Sequence, residues 1–410
     1  MTALDLQRTA RRHESRLLFA ARPAAWLLFR LGPRLGSVRR IPRLGWVVSD
    51  PAVARGVLTD STHFSVFEEG GAGHLWSQVL GPDAEAIFND AGHRDIRRRT
   101  RDLFTEENSR GIVERSFGPT LTRLGQRLDA GEQVDVVDAT RVLVGRMAAD
   151  IVGVDLTRDP RFAPASDGDP DDGFRAIFEL VRRLTTLALG TLGSTEVPAD
   201  AVATAQGYLA ELTGGIDAAF GVAAPDTVIG RCRDVGLTVG ETRCLAAMML
   251  VAATETGATS MTRALALLHD TGLQHRLRAA PDDETLLAVA VAETLRVTSP
   301  APVIGRHVTG DVTVEGRTLR ADDRVLLLIH PANNAAGGFD LDRDPVPENR
   351  QVWFGGGRHI CMGAPLARAE IGVFLEAMAR LRSPWRVVER RYGRGVLTPA
   401  YAKLVVELES

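Results

Sequence analysis

The residues best placed to do chemistry lie in a glycine-rich segment near the end of the chain. Phe354–Gly363 reads FGGGRHICMG and is followed by Ala364-Pro365 and a helical pattern of apolar residues. Cys361 therefore precedes a helix N-terminus, where free backbone N–H groups and the helix dipole lower the pKa of a thiol. The flanking glycines allow a tight turn and a close approach of the backbone to the sulfur. The segment predicts a thiolate site.

Other roles for Cys361 are less consistent with the sequence. A buried free cysteine would not require this spacing of glycines, and a zinc site would need a second cysteine at ligand spacing, which is absent. Cys232 and Cys244 complete a set of three cysteines. Three irregularly spaced cysteines are too few for a disulfide framework, and an odd count fits a reducing compartment.

The region Thr238–Asp270 predicts a long buried helix that polar residues interrupt. It opens with Thr238 and Glu241, which can form a capping box, and continues through an almost wholly apolar stretch. The sequence TETG, residues 254–257, then falls inside the same periodic pattern. A buried carboxylate is costly unless it is satisfied, so this breach of the pattern marks a functional position. The alternative is a helix that ends there and leaves Glu255 in solvent.

The cysteine segment resembles the heme-binding signature of cytochrome P450 enzymes. That signature is a phenylalanine, two residues, a glycine, three residues, a cysteine, one residue and a glycine. The matching positions here are Phe354, Gly357, Cys361 and Gly363. The resemblance implies that Cys361 is the axial thiolate of a heme b iron.

Three further groups of residues resemble motifs of the same family. Glu293 and Arg296, in ETLR, resemble its ExxR motif, in which the two positions share one face of a helix. Residues 252–256, AATET, resemble its oxygen-activation segment, with Glu255 and Thr256 as an acid–alcohol pair. The residues that resemble its ligands of the heme propionates are His93, Arg97, Arg306 and His359. A solvated helix face is the alternative for His93 and the arginine run that follows it.

The resemblance implies a mainly α fold with small β-sheets. One domain, residues 1–410, would hold heme between the long distal helix and the proximal cysteine loop. The activity it implies is oxygen-dependent monooxygenation of a small, hydrophobic organic molecule, with electrons from a separate ferredoxin and ferredoxin reductase. Arg98, Arg99 and Arg101 are expected at the docking face for the electron donor. The alternatives are a peroxide-using or oxidative-coupling heme-thiolate enzyme, and a non-catalytic heme-binding sensor.

The sequence also departs from the family pattern in three places. The family usually has an arginine in a loop before the cysteine segment, and Gly338 stands about where it belongs. Either Arg343 replaces it from a shifted loop, or the network with the ExxR pair is incomplete. Gly257 stands where a second threonine is common, and Ala253, where the family often has glycine, would narrow the space above the iron.

Composition excludes some partners. A formal net charge of −3 over 410 residues gives no electrostatic reason to expect nucleic acid. Leu17–Leu31 is apolar but is interrupted by Arg22, Pro23 and Arg30, so we expect an amphipathic helix rather than a membrane anchor. No cleavage site follows it, so a signal peptide is not expected and the protein is expected in the cytoplasm.

The remaining patterns place the other elements. Helical patterns dominate, and strand-like runs are expected at Leu44–Val48, Val312–Leu327 and Val396–Leu408. Asp155–Gly173, rich in Asp and Pro, is expected to be a surface loop. The substrate pocket of the family is lined by its most variable segments, and the corresponding candidates are Phe67–Ile87, Phe174–Leu212, Val303-Ile304 and Leu397–Ala400.

Overall fold

Helices dominate the computed structural model, which describes residues 2–66, 68, 72–80, 84, 90–155, 159–163, 168–189, 196–343 and 352–409. The helices are α1 (Ala3–Ala21), α2 (Pro23–Leu31), α3 (Pro51–Thr59), α4 (Ala72–Leu80), α5 (Asp90–Arg99), α6 (Glu106–Asp129), α7 (Val136–Val152), α8 (Asp172–Leu189), α9 (Ala199–Thr213), α10 (Ile216–Phe220), α11 (Val228–Asp234), α12 (Val239–Asp270), α13 (Gln274–Ala279), α14 (Glu284–Thr298), α15 (Ile329–Asn334) and α16 (Ala364–Ala379). Short 3-10 turns cover Gly32–Leu35, Arg101–Phe104 and Gly357–His359. The mainly α class is confirmed.

Three small sheets lie among the helices within the described residues. The strands are β1 (Val38–Ile41), β2 (Gly45–Val48), β3 (Phe64–Ser65), β4 (Val134–Asp135), β5 (Val303–Val308), β6 (Val312–Val314), β7 (Arg317–Leu319), β8 (Arg324–Leu328), β9 (Trp385–Tyr392) and β10 (Tyr401–Leu408). The largest sheet has the order β1-β2-β8-β5-β3, the second is β4-β10-β9, and β6 pairs with β7. β2 and β8 run parallel, and the other pairs are antiparallel.

The central helix α12 organises the core. Its N-terminus carries the expected capping box, with the Glu241 N–H on Thr238 Oγ1 at 3.1 Å and the Thr238 N–H on the Glu241 carboxylate at 2.8 Å. α12 packs against α7, α8, α14 and α16, and most of its side chains are buried. By length and composition α12 is the one described helix apolar enough to cross a membrane, but it is enclosed by other helices.

Several boundaries differ from the sequence prediction. Leu17–Leu31 is not one helix, because Arg22 is extended (φ −154°) and Pro23 opens a new helix. A residue before proline disfavours the helical region, so the break has a local cause. The last strand begins only at Tyr401, and five strands were not expected: β1, β3, β4, β5 and β9. Asp155–Gly173 lies partly outside the described residues.

Candidate functional site

The loop that carries Cys361 is closed by its own backbone and held against α3. The Cys361 N–H donates a 2.9 Å hydrogen bond to the Phe354 carbonyl. Gly357 has a φ of +62°, and a Cβ there would lie 2.7 Å from the Leu58 carbonyl oxygen. Only glycine fits, because any side chain would be strained and would collide with α3. The loop thus places Cys361 immediately before α16.

Cys361 lines two spaces: a cavity under α12 and a neighbouring hollow that Arg101 and Arg368 also line. The Gly363 N–H hydrogen-bonds the sulfur, and Arg97 and Arg368 also favour the thiolate. Burial nevertheless raises the pKa of the Cys361 thiol. The local backbone and charges therefore lower the pKa of the thiol as expected, but desolvation raises it by more. A bound metal cation would reverse that balance, because a coordinating thiol is deprotonated.

The four basic side chains expected at the propionates line one cavity with Cys361: His93 and Arg97 from α5, Arg306 from β5, and His359 from the cysteine loop. We call these four residues the cationic rim, after the two arginines among them. The rings of His93 and His359 have centroids 4.6 Å apart. Arg97 Nε donates to His93 Nε2 at 3.1 Å, and its Nη2 donates to the Ile360 carbonyl.

The electrostatics of the rim point to an anion from outside the chain. Arg306 is 5% exposed, its side chain donates to the Gly305 carbonyl, and no ion pair to it is found among the described residues. Burial lowers the pKa of Arg306 to about 10. Burial, followed by the charges of His93 and Arg306, lowers the pKa of His359 to about 3. Burying unpaired positive charge is costly, so a bound carboxylate would relieve the site.

Glu255 and Thr256 are neighbours in the chain but do not share one side of α12. Thr256 lines the cavity, and its hydroxyl donates to the Ala252 carbonyl at 2.8 Å. Glu255 is not among the cavity-lining residues that the structure describes. It is half-buried near Arg182 of α8, and burial raises its pKa while Arg182 opposes the rise. The alternative that the helix ends here is wrong, since α12 continues to Asp270.

Glu370 of α16 is a cavity residue that the sequence interpretation missed. It is 1% exposed, and neither carboxylate oxygen has a hydrogen-bond partner among the described residues. Burial raises its pKa to about 8. A Cβ at Gly257 would lie 1.9 Å from Glu370 Oε2, so glycine after Thr256 makes room for this carboxyl. The sequence offered one sign of this buried carboxyl. Glu370 lies four residues after Leu366 and four before Phe374, so it falls within the apolar side of α16.

The ExxR pair forms a closed buried network, and Arg343 completes it. Arg296 donates two hydrogen bonds to Glu293, at 2.6 and 2.7 Å, and also binds the carbonyls of Gly337 and Gly338. Arg343 Nε lies 3.1 Å from Glu293 Oε1. Of the two alternatives for the missing arginine, the structure therefore shows substitution by Arg343. A Cβ at Gly338 would lie 2.6 Å from Gln7 Oε1, so this position is pressed against α1.

The arginines expected at the docking face behave differently from one another. Arg101 is exposed and lines the hollow beside Cys361. Arg98 is exposed and bonds Asp95 at 2.6 Å. Arg99 is a correction, because it is mostly buried in an ion pair with Glu241 that ties α5 to the start of α12.

The pocket candidates are only partly supported. Ile304 lines the cavity, as do Gly73 and Trp76 of the early segment, whereas Phe67 and Ile87 lie outside the described residues. No described residue of Phe174–Leu212 or Leu397–Ala400 lines it. Among the helices, α12 contributes a continuous part of the apolar wall, through Leu245, Met248, Met249, Ala252 and Ala253.

Comparisons with known proteins decide the family. The family model described as Cytochrome P450 matches residues 230–381. Cytochrome P450-SU2 of Streptomyces griseolus is 31% identical over 335 residues, covering 74% of this chain and 79% of that protein. The chain belongs to the cytochrome P450 family. As a member of that family it is an oxidoreductase.

Other relatives align over less of their length. The 20-oxo-5-O-mycaminosyltylactone 23-monooxygenase of Streptomyces fradiae is 33% identical over 160 residues, 37% of this chain and 36% of that protein. Further matches likewise span about a third of the relative. P450BioI, solved with an acyl carrier protein ligated to hexadec-9Z-enoic acid, covers 95% of this chain and 100% of its own at 21% identity and a TM-score of 0.74. That likeness shows the P450 fold.

The site fits the heme that the family implies. Cys361 supplies a soft sulfur ligand in the cavity, and the buried Arg306, which has no ion pair among the described residues, would be stabilised by an anionic partner. Heme offers both an iron for the sulfur and carboxylates for the rim.

Proposed function

We propose that this P450 chain is a monooxygenase that uses dioxygen to oxidise a small hydrophobic molecule. The observation that supports it best is a single cavity lined by Cys361, the cationic rim and Thr256. A heme and its substrate would together explain why a cysteine sulfur, a set of basic side chains and a hydroxyl line one largely apolar cavity. We place residues 1–410 in one domain, in the cytoplasm.

Each residue of the site would have a distinct part in holding heme b. Cys361 would bind the iron, and His93, Arg97, Arg306 and His359 would hold the propionates. Phe354, Gly357 and Gly363 would shape the loop around the sulfur, with Gly363 donating its N–H to it. A thiolate-bound heme supplies oxygen activation, because the sulfur donates electron density that favours O–O cleavage.

The proton chemistry would fall to Thr256 and Glu255. The Thr256 hydroxyl donates its hydrogen to the Ala252 carbonyl. The lone pairs of the hydroxyl oxygen can therefore accept a hydrogen bond from a group on the cavity side. Glu255 lies on the side of α12 that faces Arg182, where it can take up a proton because burial raises its pKa. The pair would therefore carry protons from the α8 side of the helix to the cavity.

The apolar wall favours a hydrophobic substrate. Leu245, Met248, Met249 and Ile304 line the cavity together with Trp76. Two methionines among them can adjust to irregular shapes, since the side chain is unbranched and flexible. Substrate would be held by shape and desolvation rather than by charge.

Electrons would come from a ferredoxin and its reductase. The hollow beside Cys361 is lined by Arg97, Arg101 and Arg368, together with Phe104 and Phe354. An acidic donor protein would meet this positive surface close to the sulfur, and complementary charge mainly speeds association.

Thr256→Ala tests the proposal. We expect electron consumption to continue while oxygen is diverted to peroxide, so the ratio of product to reductant should fall. Thr254→Ala is the matched control, since Thr254 makes the same bond to its helix, with its hydroxyl on the Leu250 carbonyl at 2.6 Å, but does not line the cavity. Thr256→Ser should restore coupling.

Intact coupling in Thr256→Ala and in Glu255→Gln would favour the peroxide-using or oxidative-coupling alternative. A spectral response to substrate without turnover under electron supply would favour the sensor.

A further inference from the structure

The first two helices and the turn after them present apolar side chains to solvent. Leu27, Leu31 and Leu35 recur every fourth residue along α2 and the Gly32–Leu35 turn, and each is at least two-fifths exposed. Phe19, near the end of α1, is 51% exposed. Of the eight large hydrophobic side chains that are exposed among the described residues, five lie between Leu4 and Leu35. Large exposed apolar patches mark binding surfaces.

These side chains form one surface rather than scattered positions. The Phe19 ring meets the Trp26 ring edge-on, with centroids 5.3 Å apart, which joins the exposed side of α1 to that of α2. The Arg30 guanidinium lies over the Trp26 ring at 5.0 Å. We call the exposed side chains of α1, α2 and the Gly32–Leu35 turn the N-terminal face.

The same segment carries a strong positive charge. Residues 1–43 contain ten arginines and only two carboxylates, Asp5 and Glu14, whereas the rest of the chain has 39 basic and 50 acidic residues. Glu14 is buried in an ion pair with Arg263, so it does not offset the surface charge. The exposed arginines that have no ion pair among the described residues include Arg12, Arg16, Arg34 and Arg39.

We propose that the N-terminal face docks on an anionic lipid surface. Arginines would bind lipid phosphates while Phe19, Leu27, Leu31 and Leu35 enter the boundary between headgroups and acyl chains. Interfacial helices combine these two features, and neither alone gives stable attachment. The excess of arginine over carboxylates on the same helices as the exposed leucines favours an anionic lipid surface, because such a surface attracts basic segments and buries apolar side chains at its headgroup boundary. This is attachment to a surface and needs no membrane-spanning helix.

Flotation of the heme-loaded protein with vesicles tests the contribution of the apolar side chains to lipid binding. Wild type should float with phosphatidylcholine vesicles that contain phosphatidylglycerol at low salt and should not float with pure phosphatidylcholine. Leu27→Gln with Leu31→Gln should lower the partition coefficient at least about tenfold, because two leucines lose their burial in lipid. Val222→Gln with Val388→Gln is the matched control at exposed valines elsewhere and should bind as wild type does.

A second pair of variants tests the charge. Arg12→Gln with Arg16→Gln should weaken binding about fivefold per arginine, whereas Arg317→Gln with Arg320→Gln, exposed on the β6–β7 hairpin and the turn after it, should not. In wild type, brominated lipid should quench Trp26 fluorescence, and Trp26→Phe should remove that quenching. The proposal is wrong if wild type stays off anionic vesicles at low salt, or if either control pair loses as much binding as its test pair. Binding of a small acidic protein in place of the vesicles would assign the face to a protein partner.

Discussion

The network of Glu293, Arg296 and Arg343 and the cationic rim are both built from buried charge, yet they are satisfied in opposite ways. In the network every guanidinium faces a carboxylate or a backbone carbonyl of the chain. In the rim, Arg306 is buried, as Arg296 is, but it forms no ion pair with a carboxylate among the described residues. Buried charges that pair within the chain stabilise the fold, whereas a buried charge without a partner in a cavity indicates a binding site for a ligand of opposite charge.

The largest loss of stability is expected from substitutions in the network of Glu293, Arg296 and Arg343. Glu293→Gln or Arg296→Ala leaves a buried charge without its partner, at a cost of about 3–5 kcal/mol in the free energy of unfolding. Arg343→Gln should cost less, because its side chain is partly exposed and Arg296 keeps its bonds. Urea unfolding of the heme-loaded variants measures both. Equal losses for Arg343→Gln and Arg296→Ala would mean that the three residues act as one unit.

Removing a rim charge should have the opposite effect on the apoprotein. Arg306→Gln relieves an unpaired buried cation, so the apoprotein should be at least as stable as wild type. The heme-loaded protein should lose heme faster, by roughly 10- to 100-fold for a lost charged hydrogen bond of about 1.5–3 kcal/mol. Transfer of heme to apo-globin measures the rate. If both forms lose stability alike, Arg306 belongs with the network and not with the ligand site. Arg97→Ala should also release heme faster, but its bond to Ile360 makes it a less clean test.

Glu370 extends the comparison to an unpaired acid. Its pKa of about 8 lies above the usual carboxyl value, so between pH 4.5 and 8 the folded state keeps a proton that the unfolded state loses. The free energy of unfolding should therefore fall as the pH rises through this window, by up to about 1.4 kcal/mol per pH unit. Glu370→Gln should remove that dependence. Parallel pH profiles for wild type and variant, measured on heme-loaded protein, would contradict the assignment.

The smallest effect on stability is expected at exposed charges. Arg101→Glu should leave the free energy of unfolding within about 0.5 kcal/mol of wild type, since the residue is on the surface. It should slow the first electron transfer from an acidic ferredoxin at low salt and lose that effect at high salt. Arg127→Glu on α6 is a control for added negative charge away from the hollow. Equal electron-transfer rates for Arg101→Glu and wild type would move the docking site elsewhere.

Much of the site could be predicted from the sequence because its motifs are local. The turn around Gly357 and the helix start after Gly363 are set by neighbours in the chain, and the capping box of Thr238 and Glu241 likewise needs only four residues. The family resemblance then predicted that His93 and Arg306, which come from distant elements, would line the same cavity as Cys361.

The rest depends on packing between distant segments. The sequence does not show that Glu370 lies under Gly257, because the contact joins two helices far apart in the chain. Arg99 has the same residue type as its exposed neighbours, and its pairing with Glu241 follows only from the angle between α5 and α12. β5 and β9 were missed because their apolar residues alternate poorly with charged ones, and pairing with β8 and β10 decides their conformation.

The most direct test of the account is the carbon-monoxide difference spectrum of the reduced protein. With Cys361 as thiolate ligand, wild type should show the red-shifted Soret band that gives the family its name, and Cys361→Ser should lose it because an alcohol is a poor ligand for the iron at neutral pH. Cys232→Ser and Cys244→Ser, at cysteines buried in the core, should keep it. A full band in Cys361→Ser, or its loss in either of the other two variants with heme still bound, would contradict the assignment of Cys361.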